Sequence, residues 1–215
     1  MPIRKVPLIT GEVYHIYNKS IADFTIFHTD IDYERMKEAM SYYAIKNPPV
    51  KLSLYKRLKH AKSNRDNRIV DIIAYCLMPT HIHVILKETE KGGIEHFTGS
   101  ISQSYSQYFN IKHRRKGPLW ESRFGNVLIK NDEQLSHLTS YIHLNPVTAY
   151  IVNNPADWKY SSYGEYMGSI KECDRICCFS HLLTIDPFSY RKFVTEQIER
   201  QREIAEGKRL GEQKP

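Results

Sequence analysis

The sequence contains no apolar stretch long enough to cross a membrane. A transmembrane helix needs about 20 consecutive, predominantly apolar residues, and polar or charged side chains interrupt every region of this 215-residue chain before that length is reached. The first residues also lack the short apolar segment of a signal peptide. We therefore expect a cytoplasmic protein with no membrane contact.

Cysteine is scarce, and its spacing excludes the common cysteine-based architectures. The four cysteines are Cys76, Cys173, Cys177 and Cys178. Cys76 sits in an apolar run, as a small core residue does. The others form a C-x3-C-C-x2-H stretch with His181, which does not match the paired spacing of zinc sites. We therefore expect no zinc site in this stretch, and in a reducing cytoplasm we expect no disulfides.

Acidic residues are outnumbered, 24 to 31, which gives a formal net charge of +7. The basic residues cluster. Segment 51–68 holds one acid, Asp66, among the following bases: Lys51, Lys56, Arg57, Lys59, Lys62, Arg65 and Arg68. A second cluster comprises Lys112, Arg114, Arg115 and Lys116. With 15 tyrosines available for base stacking, this composition suits single-stranded nucleic acid, although each cluster alone could be a solvated loop.

Hydrophobic periodicity predicts an α+β fold. Its elements are expected to be a strand at 11–18, a helix at 31–46, strands at 69–77 and 82–87, a helix at 94–108, a strand at 124–129 and a helix at 131–145. This order gives a ferredoxin-like βαββαβ antiparallel sheet with helices on one face, followed by a closing helix that Asn145 and Pro146 end. Residues 112–117 are expected to form a basic loop.

The sequence predicts a domain at 1–150 and an extension at 151–215. The extension is rich in aromatic residues, which are expected to pack on the domain: Trp158, Tyr160, Tyr163 and Tyr166. Its charged tail, 201–215, is expected to be frayed. Segment 51–68 shows no clean period and is interpreted as an insertion.

Two histidines stand one residue apart in an otherwise apolar, β-branched run. Successive side chains of a strand alternate between faces, so His81 and His83 share one face while Ile82 and Val84 point to the other. Neutral imidazole is the commonest protein ligand of divalent metals. The pair therefore indicates a metal site, and the alternative is two exposed histidines on a solvated sheet face.

The closing helix carries a second candidate group. Tyr141 and Asn145 are spaced i and i+4, so they share one face, beside the buried stripe of Leu135, Leu138 and Ile142. A tyrosine at that border can direct its phenol out of the core. The alternative is a half-buried tyrosine with no chemical role.

Five ordered segments resemble the single-tyrosine HUH transposases (IS200-like), and most of all the REP-associated tyrosine transposases. They are GEVYHIYNK at 11–19, YCLMPTHIH at 75–83, GPLWESRF at 117–124, YIHLNPV at 141–147 and WKYSSY at 158–163. The resemblance extends from about residue 11 to about residue 167. Relatives often carry Asn or Asp where this chain has Thr80, a position next to the histidines.

The resemblance implies a metal-dependent enzyme that cuts and rejoins single-stranded or hairpin DNA through a 5′-phosphotyrosine. Tyr141 is the implied nucleophile, with Tyr105 and Tyr108 as the next candidates. The implied metal ligands are His81, His83 and Asn145. The implied metal is Mg²⁺ or Mn²⁺, although two imidazoles also suit zinc. The expected DNA-binding residues are Lys19, Lys112, Arg114, Arg115, Lys116 and Arg123.

Two other functions are compatible with parts of this pattern. A domesticated nucleic-acid-binding protein without turnover would keep the basic clusters and would not need Tyr141. A metal-dependent hydrolase of small phosphoesters would keep His81 and His83 and would not need the basic clusters. The presence of all three features favours the transposase. Monomer and homodimer both remain open, and the extension favours a monomer.

Overall fold

The computed structural model describes residues 7–57 and 67–212. The helices and strands in chain order are β1 (Val13–Lys19), α1 (Asp30–Tyr43), α2 (Leu52–Arg57), β2 (Val70–Met78), β3 (His81–Glu88), α3 (Gly93–Lys112), β4 (Gly125–Ile129), α4 (Asp132–Thr148), α5 (Tyr163–Tyr166), α6 (Pro187–Glu196) and α7 (Ile198–Glu212). Single 3₁₀ turns lie at Ile21–Asp23, Pro155–Asp157 and Glu172–Asp174. Within the described residues, no helix combines the length and apolar character that crossing a membrane requires.

The strands form one antiparallel sheet in the order β2-β3-β1-β4. The two central strands, β1 and β3, are far apart in the chain and pair along the whole of β1. Together with the helix between β1 and β2 and the helix between β3 and β4, this is the ferredoxin-like arrangement that the sequence predicts. The predicted fold class is confirmed.

Helices α1 and α3 pack on one face of the sheet and enclose the larger part of the core. Alternation directs Tyr14 and Ile16 of β1 towards this face, and neither is more than 1% exposed. They meet Met36 of α1 and Phe97 of α3, both fully buried. The prediction that the helices lie on one face of the sheet is confirmed for α1 and α3.

The closing helix α4 and the extension lie on the opposite face. Ile85 and Cys76 of the sheet, Ile142 of α4, and Tyr163 and Tyr190 of the extension share a second buried cluster. The aromatic extension therefore packs on the domain, as expected. Because α4 and the extension cover only part of this sheet face, its other end is left for the histidines. The division into 1–150 and 151–215 stays a prediction.

The predicted end of α4 at Asn145 and Pro146 is wrong, because the helix continues to Thr148 with Pro146 inside it. Proline has no backbone N–H, so the carbonyl of Ile142 loses its usual helical donor. The side-chain amide of Asn145 donates to that carbonyl at 3.4 Å and to the Tyr141 carbonyl at 3.1 Å. A neighbouring side chain thus supplies the hydrogen bond that proline cannot make.

The predicted fraying of 201–215 is wrong for residues 201–212, which belong to α7. This helix packs along α4. Gln201 is only 8% exposed, and its amide donates to the Tyr141 carbonyl at 2.9 Å. The charged residues of α7 are those of a solvated outer face. The contact of Gln201 with α4 is buried.

The segment interpreted as an insertion, 51–68, contains one short helix, α2. Its bases Lys59, Lys62 and Arg65 lie outside the described residues.

Candidate active site

The two histidines lie on the sheet face that α4 partly covers. His83 is directly opposite Tyr17 of β1, and His81 is opposite Lys19. The imidazole rings of His81 and His83 have centroids 5.0 Å apart and planes at 89°. The sequence-predicted pair is therefore brought together on one face, at the end of β3 that begins just after the β2–β3 turn.

Each of the two imidazoles has its Nδ1 atom in a hydrogen bond within the protein. His81 Nδ1 lies 3.0 Å from the Thr80 hydroxyl. His83 Nδ1 lies 3.0 Å from Nε2 of a third histidine, His15 of β1. The planes of the His15 and His83 rings meet at 24°, and their centroids lie 5.2 Å apart.

Sequence reasoning missed His15 as a member of this site. Strand alternation offered the signal, since His15 and Tyr17 must share a face of β1, opposite to Tyr14 and Ile16. What the sequence did not show is which residue of β3 pairs with each residue of β1.

All three histidines are neutral at physiological pH. Burial lowers the pKa of His83 well below its ordinary value of 6.5, and the neighbouring histidines add to this effect. Burial and the nearby Lys19 ammonium lower the pKa of His81. Burial lowers the pKa of His15 to about 4. A neutral imidazole is the form that binds a metal, so these histidines need not lose a proton before a cation binds.

Helix α4 brings Tyr141 to the histidines. Its ring centroid is 6.1 Å from that of His83, and the planes meet at 82°. Burial raises the pKa of the Tyr141 phenol above its ordinary value of 10.0. The phenol is therefore fully protonated at neutral pH and needs electrostatic help to act as a nucleophile.

Asn145 follows Tyr141 by one helical turn and is half-buried. Its amide nitrogen donates to the carbonyls of Tyr141 and Ile142. The side-chain oxygen is therefore the atom that could bind a metal. Among the described residues, no three His, Cys, Asp or Glu side chains gather into a cation site. A metal at the two histidines would therefore need oxygen ligands of other kinds, such as a carboxamide, water or phosphate.

The predicted basic residues differ in how the fold uses them. Lys112 is the last residue of α3, so it lies in the helix where a loop was predicted, and its ammonium contacts the buried Asp32 at 2.6 Å. Arg115 donates to Asn110 at 3.1 Å and to the Pro118 carbonyl at 2.7 Å. Both residues thus have internal partners, and their DNA-binding role stays a prediction.

The remaining basic residues are exposed on loops or at a strand end. Arg114 and Lys116 lie in the loop after α3, and Arg123 lies just before β4. Lys19 ends β1 beside His81 and pairs with Asp23 at 2.7 Å. Lys19 is therefore the predicted DNA-binding residue that the fold places next to the histidines.

The two fallback nucleophiles lie on the other side of the sheet. Tyr105 donates to the Ile26 carbonyl at 2.6 Å, and Tyr108 donates to Asp32 at 2.7 Å, both within the layer of α1 and α3. The fold therefore separates them from the histidines and leaves Tyr141 facing His83.

Comparison with known proteins gives consistent matches. The family model of IS200-like transposases matches residues 43–145. A REP-associated tyrosine transposase of Escherichia coli (strain K12) is 30% identical over 114 residues, covering 51% of this chain and 64% of the relative. A Haemophilus influenzae protein assigned to the same group is 28% identical over 103 residues, covering 43% of this chain and 58% of the relative. The chain thus spans about three-fifths of the length of these curated relatives.

A solved structure shares the fold. It is a REP-associated tyrosine transposase bound to a REP hairpin, with a TM-score of 0.55 and 18% sequence identity, and the match covers 86% of this chain and 99% of that chain. The family match includes β3 with both histidines and extends through α4 to Asn145, so it contains His81, His83, Tyr141 and Asn145 but not His15. Over residues 43–145 the chain is therefore similar to the IS200-like transposases.

Proposed function

We propose that this protein cuts and rejoins single-stranded DNA, with Tyr141 as the nucleophile that becomes covalently linked to the 5′ phosphate. The observation that carries the proposal is the approach of Tyr141 on α4 to His83 on β3, with ring centroids 6.1 Å apart. These residues come from elements far apart in the chain. Their meeting supports the proposal, because it brings a tyrosine close to the histidines that are the candidate metal ligands.

The residues fit a divalent metal. His81 and His83 are neutral and share one face, and the Asn145 side-chain oxygen is the third candidate ligand, one helical turn from Tyr141. A bound Mg²⁺ or Mn²⁺ would neutralise charge on the scissile phosphate and stabilise the departing oxygen. Two imidazoles also suit zinc, so activity with each metal in turn must decide its identity.

The chain's own residues then account for a transfer reaction. The Tyr141 hydroxyl oxygen attacks phosphorus and forms an O–P bond, while the bond from phosphorus to the 3′ oxygen breaks. The phenolic proton leaves to solvent, and the departing 3′ oxygen takes up a proton. Because no water attacks phosphorus, the phosphodiester energy is kept in the tyrosine linkage. A free 3′-OH can therefore reverse the step, which suits cutting and rejoining.

Hairpin DNA is the proposed substrate. The solved neighbour is described as bound to a REP hairpin. In this chain Lys19 lies beside His81, where a backbone phosphate would approach the site. Exposed Arg114 and Lys116 provide further positive charge. Phosphate contacts of this kind supply most of the affinity of non-specific binding.

The test is capture of the covalent adduct. The protein is incubated with Mg²⁺ or Mn²⁺ and end-labelled hairpin oligonucleotides whose single-stranded flanks are randomised, then run on a denaturing gel. We expect an adduct with the parent protein and none with Tyr141→Phe, which keeps the ring and removes the attacking oxygen. Tyr150→Phe is the matched control, because Tyr150 is 55% exposed and lies beyond the end of α4. It should form the adduct normally.

Two results would contradict the proposal in different ways. An adduct that persists in Tyr141→Phe would move the nucleophile to another tyrosine. Tyr17 would be tested next, because its ring centroid lies 6.5 Å from that of His83, whereas Tyr105 and Tyr108 lie on the other side of the sheet. Hairpin binding by the parent protein without any adduct, in either metal, would favour the alternative of a domesticated nucleic-acid-binding protein.

A further inference from the structure

The two Nδ1 contacts at the site have a common consequence for the metal ligands. We propose that Thr80 and His15 are positioning residues that hold His81 and His83 with their protons on Nδ1, so that both Nε2 atoms carry the lone pairs offered to a divalent cation. The proposal rests on the metal role assigned above to the two histidines. It adds two residues that do not touch the metal and act through its ligands.

The argument for Thr80 starts from the 3.0 Å contact between its hydroxyl and His81 Nδ1. A threonine hydroxyl can either donate or accept, so two arrangements are possible. If the hydroxyl donates, Nδ1 is bare and the proton of the neutral ring sits on Nε2, which then has no lone pair for a metal. If the hydroxyl accepts from Nδ1–H, Nε2 is bare. Cation binding through Nε2 therefore selects the accepting hydroxyl.

The argument for His15 follows the same logic with a second imidazole. The 3.0 Å contact joins His15 Nε2 and His83 Nδ1, and one of these atoms must carry the proton. Metal binding through His83 Nε2 requires that His83 Nδ1–H donates and His15 Nε2 accepts. His15 is then the tautomer with its own proton on Nδ1. The two rings would change tautomer together.

The fold holds His15 in place for this task. His15 lies opposite Ile85 in the β1–β3 register, two pairs along from the pair formed by Tyr17 and His83 and on the same face of the sheet. Its side chain reaches His83 on the diagonal, a distance that long or aromatic side chains span. It is 8% exposed, so water has little access to compete for the contact.

Each positioning residue can be tested with two variants, one that removes the hydrogen-bond acceptor and one that keeps an acceptor. Thr80→Val keeps the shape and removes the hydroxyl, whereas Thr80→Ser keeps the hydroxyl. His15→Phe keeps a ring and removes the acceptor, whereas His15→Gln offers a carboxamide oxygen in its place. Partners that orient metal ligands typically contribute about 10–100-fold in metal affinity. We expect Thr80→Val and His15→Phe each to weaken Mn²⁺ binding by about that factor, with Thr80→Ser near the parent and His15→Gln between the two.

The experiment combines calorimetric titration of the full chain with Mn²⁺ and nitrogen-15 NMR of its histidine rings without metal. The NMR measurement reads the tautomers in the unaltered protein, so it does not depend on any variant folding. We expect His81 and His83 both to carry the proton on Nδ1. We expect the Val and Phe variants to show a larger fraction of the other tautomer at the affected ring, a change that mere loosening of the fold would not direct to one nitrogen.

Different results would overturn different parts. If His83→Ala abolishes Mn²⁺ binding while Thr80→Val and His15→Phe bind as tightly as the parent, the positioning roles are wrong and the metal site stands. A proton on Nε2 of His81 or His83 in the parent protein would overturn the role of the corresponding partner. If His81→Ala and His83→Ala leave Mn²⁺ binding unchanged, the proposed metal site itself fails.

Discussion

The buried carboxylate of Asp32 provides a sharp test of what Lys112 does. Asp32 is fully buried, and it accepts from the Lys112 ammonium at 2.6 Å and from the Tyr108 hydroxyl at 2.7 Å. The backbone N–H groups of His28 and Thr29 donate to its other oxygen at 3.1 and 3.0 Å. Burial alone would raise the pKa of Asp32, but these partners, Lys112 foremost, lower it from 3.8 to about 2.

The sign and size of the effect follow from this pKa. Because the carboxyl is more acidic in the folded chain than in the unfolded one, its ionised form stabilises the fold above pH 3.8, and that contribution is lost as the pH falls towards 2. A pKa difference of this size corresponds to about 2 kcal/mol at neutral pH. Breaking a fully buried ion pair costs roughly 3–5 kcal/mol, but Lys112 is 33% exposed and Asp32 keeps its other donors. We expect Lys112→Met to lower the free energy of unfolding by about 2 kcal/mol.

Urea denaturation followed by circular dichroism measures this loss at about pH 7 and again near pH 3. The gap between the parent protein and Lys112→Met should narrow at the lower pH, because the Asp32 carboxylate of the folded variant, which lacks the ammonium, protonates at a higher pH than that of the parent. Lys116→Met is the matched control, since Lys116 is exposed in the next loop. It should change stability by no more than about 0.5 kcal/mol. Equal effects of the two variants, or a gap that does not depend on pH, would refute the role given to Lys112.

Three further predictions concern a close approach at Gly125, the buried His143 and the exposed bases of the loop after α3. A Cβ atom at Gly125 would lie 2.3 Å from Cζ of Tyr17, so Gly125→Ala should cost about 1 kcal/mol in urea denaturation, and Tyr17→Ala should remove most of that cost in the double variant. His143→Leu removes the partner of two buried hydroxyls at 2.8 Å and should lower the free energy of unfolding by about 2–4 kcal/mol, whereas His143→Gln should retain more. Replacing Arg114 and Lys116 together by Gln should reduce the slope of log affinity against log salt for single-stranded hairpin DNA by about 1.4, and an unchanged slope would place this loop away from the DNA.

Local patterns predicted the parts of this structure that depend on local physics. Alternation in an apolar run placed His81 and His83 on one face of β3, and the i, i+4 spacing placed Asn145 one turn from Tyr141. The order of strands and helices left few topologies open, and the ferredoxin-like one is observed. Strand and helix limits moved by up to four residues, because end residues are decided by contacts outside the element.

The parts that could not be predicted depend on which distant elements meet. His15 enters the site only because β1 pairs with β3 in one particular register. Gln201 lies in a stretch whose charges suggested a frayed tail, and its buried contact with the Tyr141 carbonyl exists because α7 packs along α4. The charged residues indicate which face of such a helix is solvated, but they do not indicate what the other face contacts. The inner face of α7 makes contacts through few residues, such as Gln201 and Ile198, and these leave little periodic signal.

Asn145 and Pro146 show how one pair of residues can combine structure and chemistry. Proline removes the donor that the Ile142 carbonyl would use, and the Asn145 amide nitrogen replaces it at 3.4 Å. The same bond fixes the orientation of the carboxamide, whose oxygen is the atom proposed to face the cation. The nitrogen and the oxygen belong to one planar group, so holding the first restricts the second. The proline inside α4 thus gives a reason for a carboxamide at this position, because an ionised carboxylate has no donor to give to the Ile142 carbonyl.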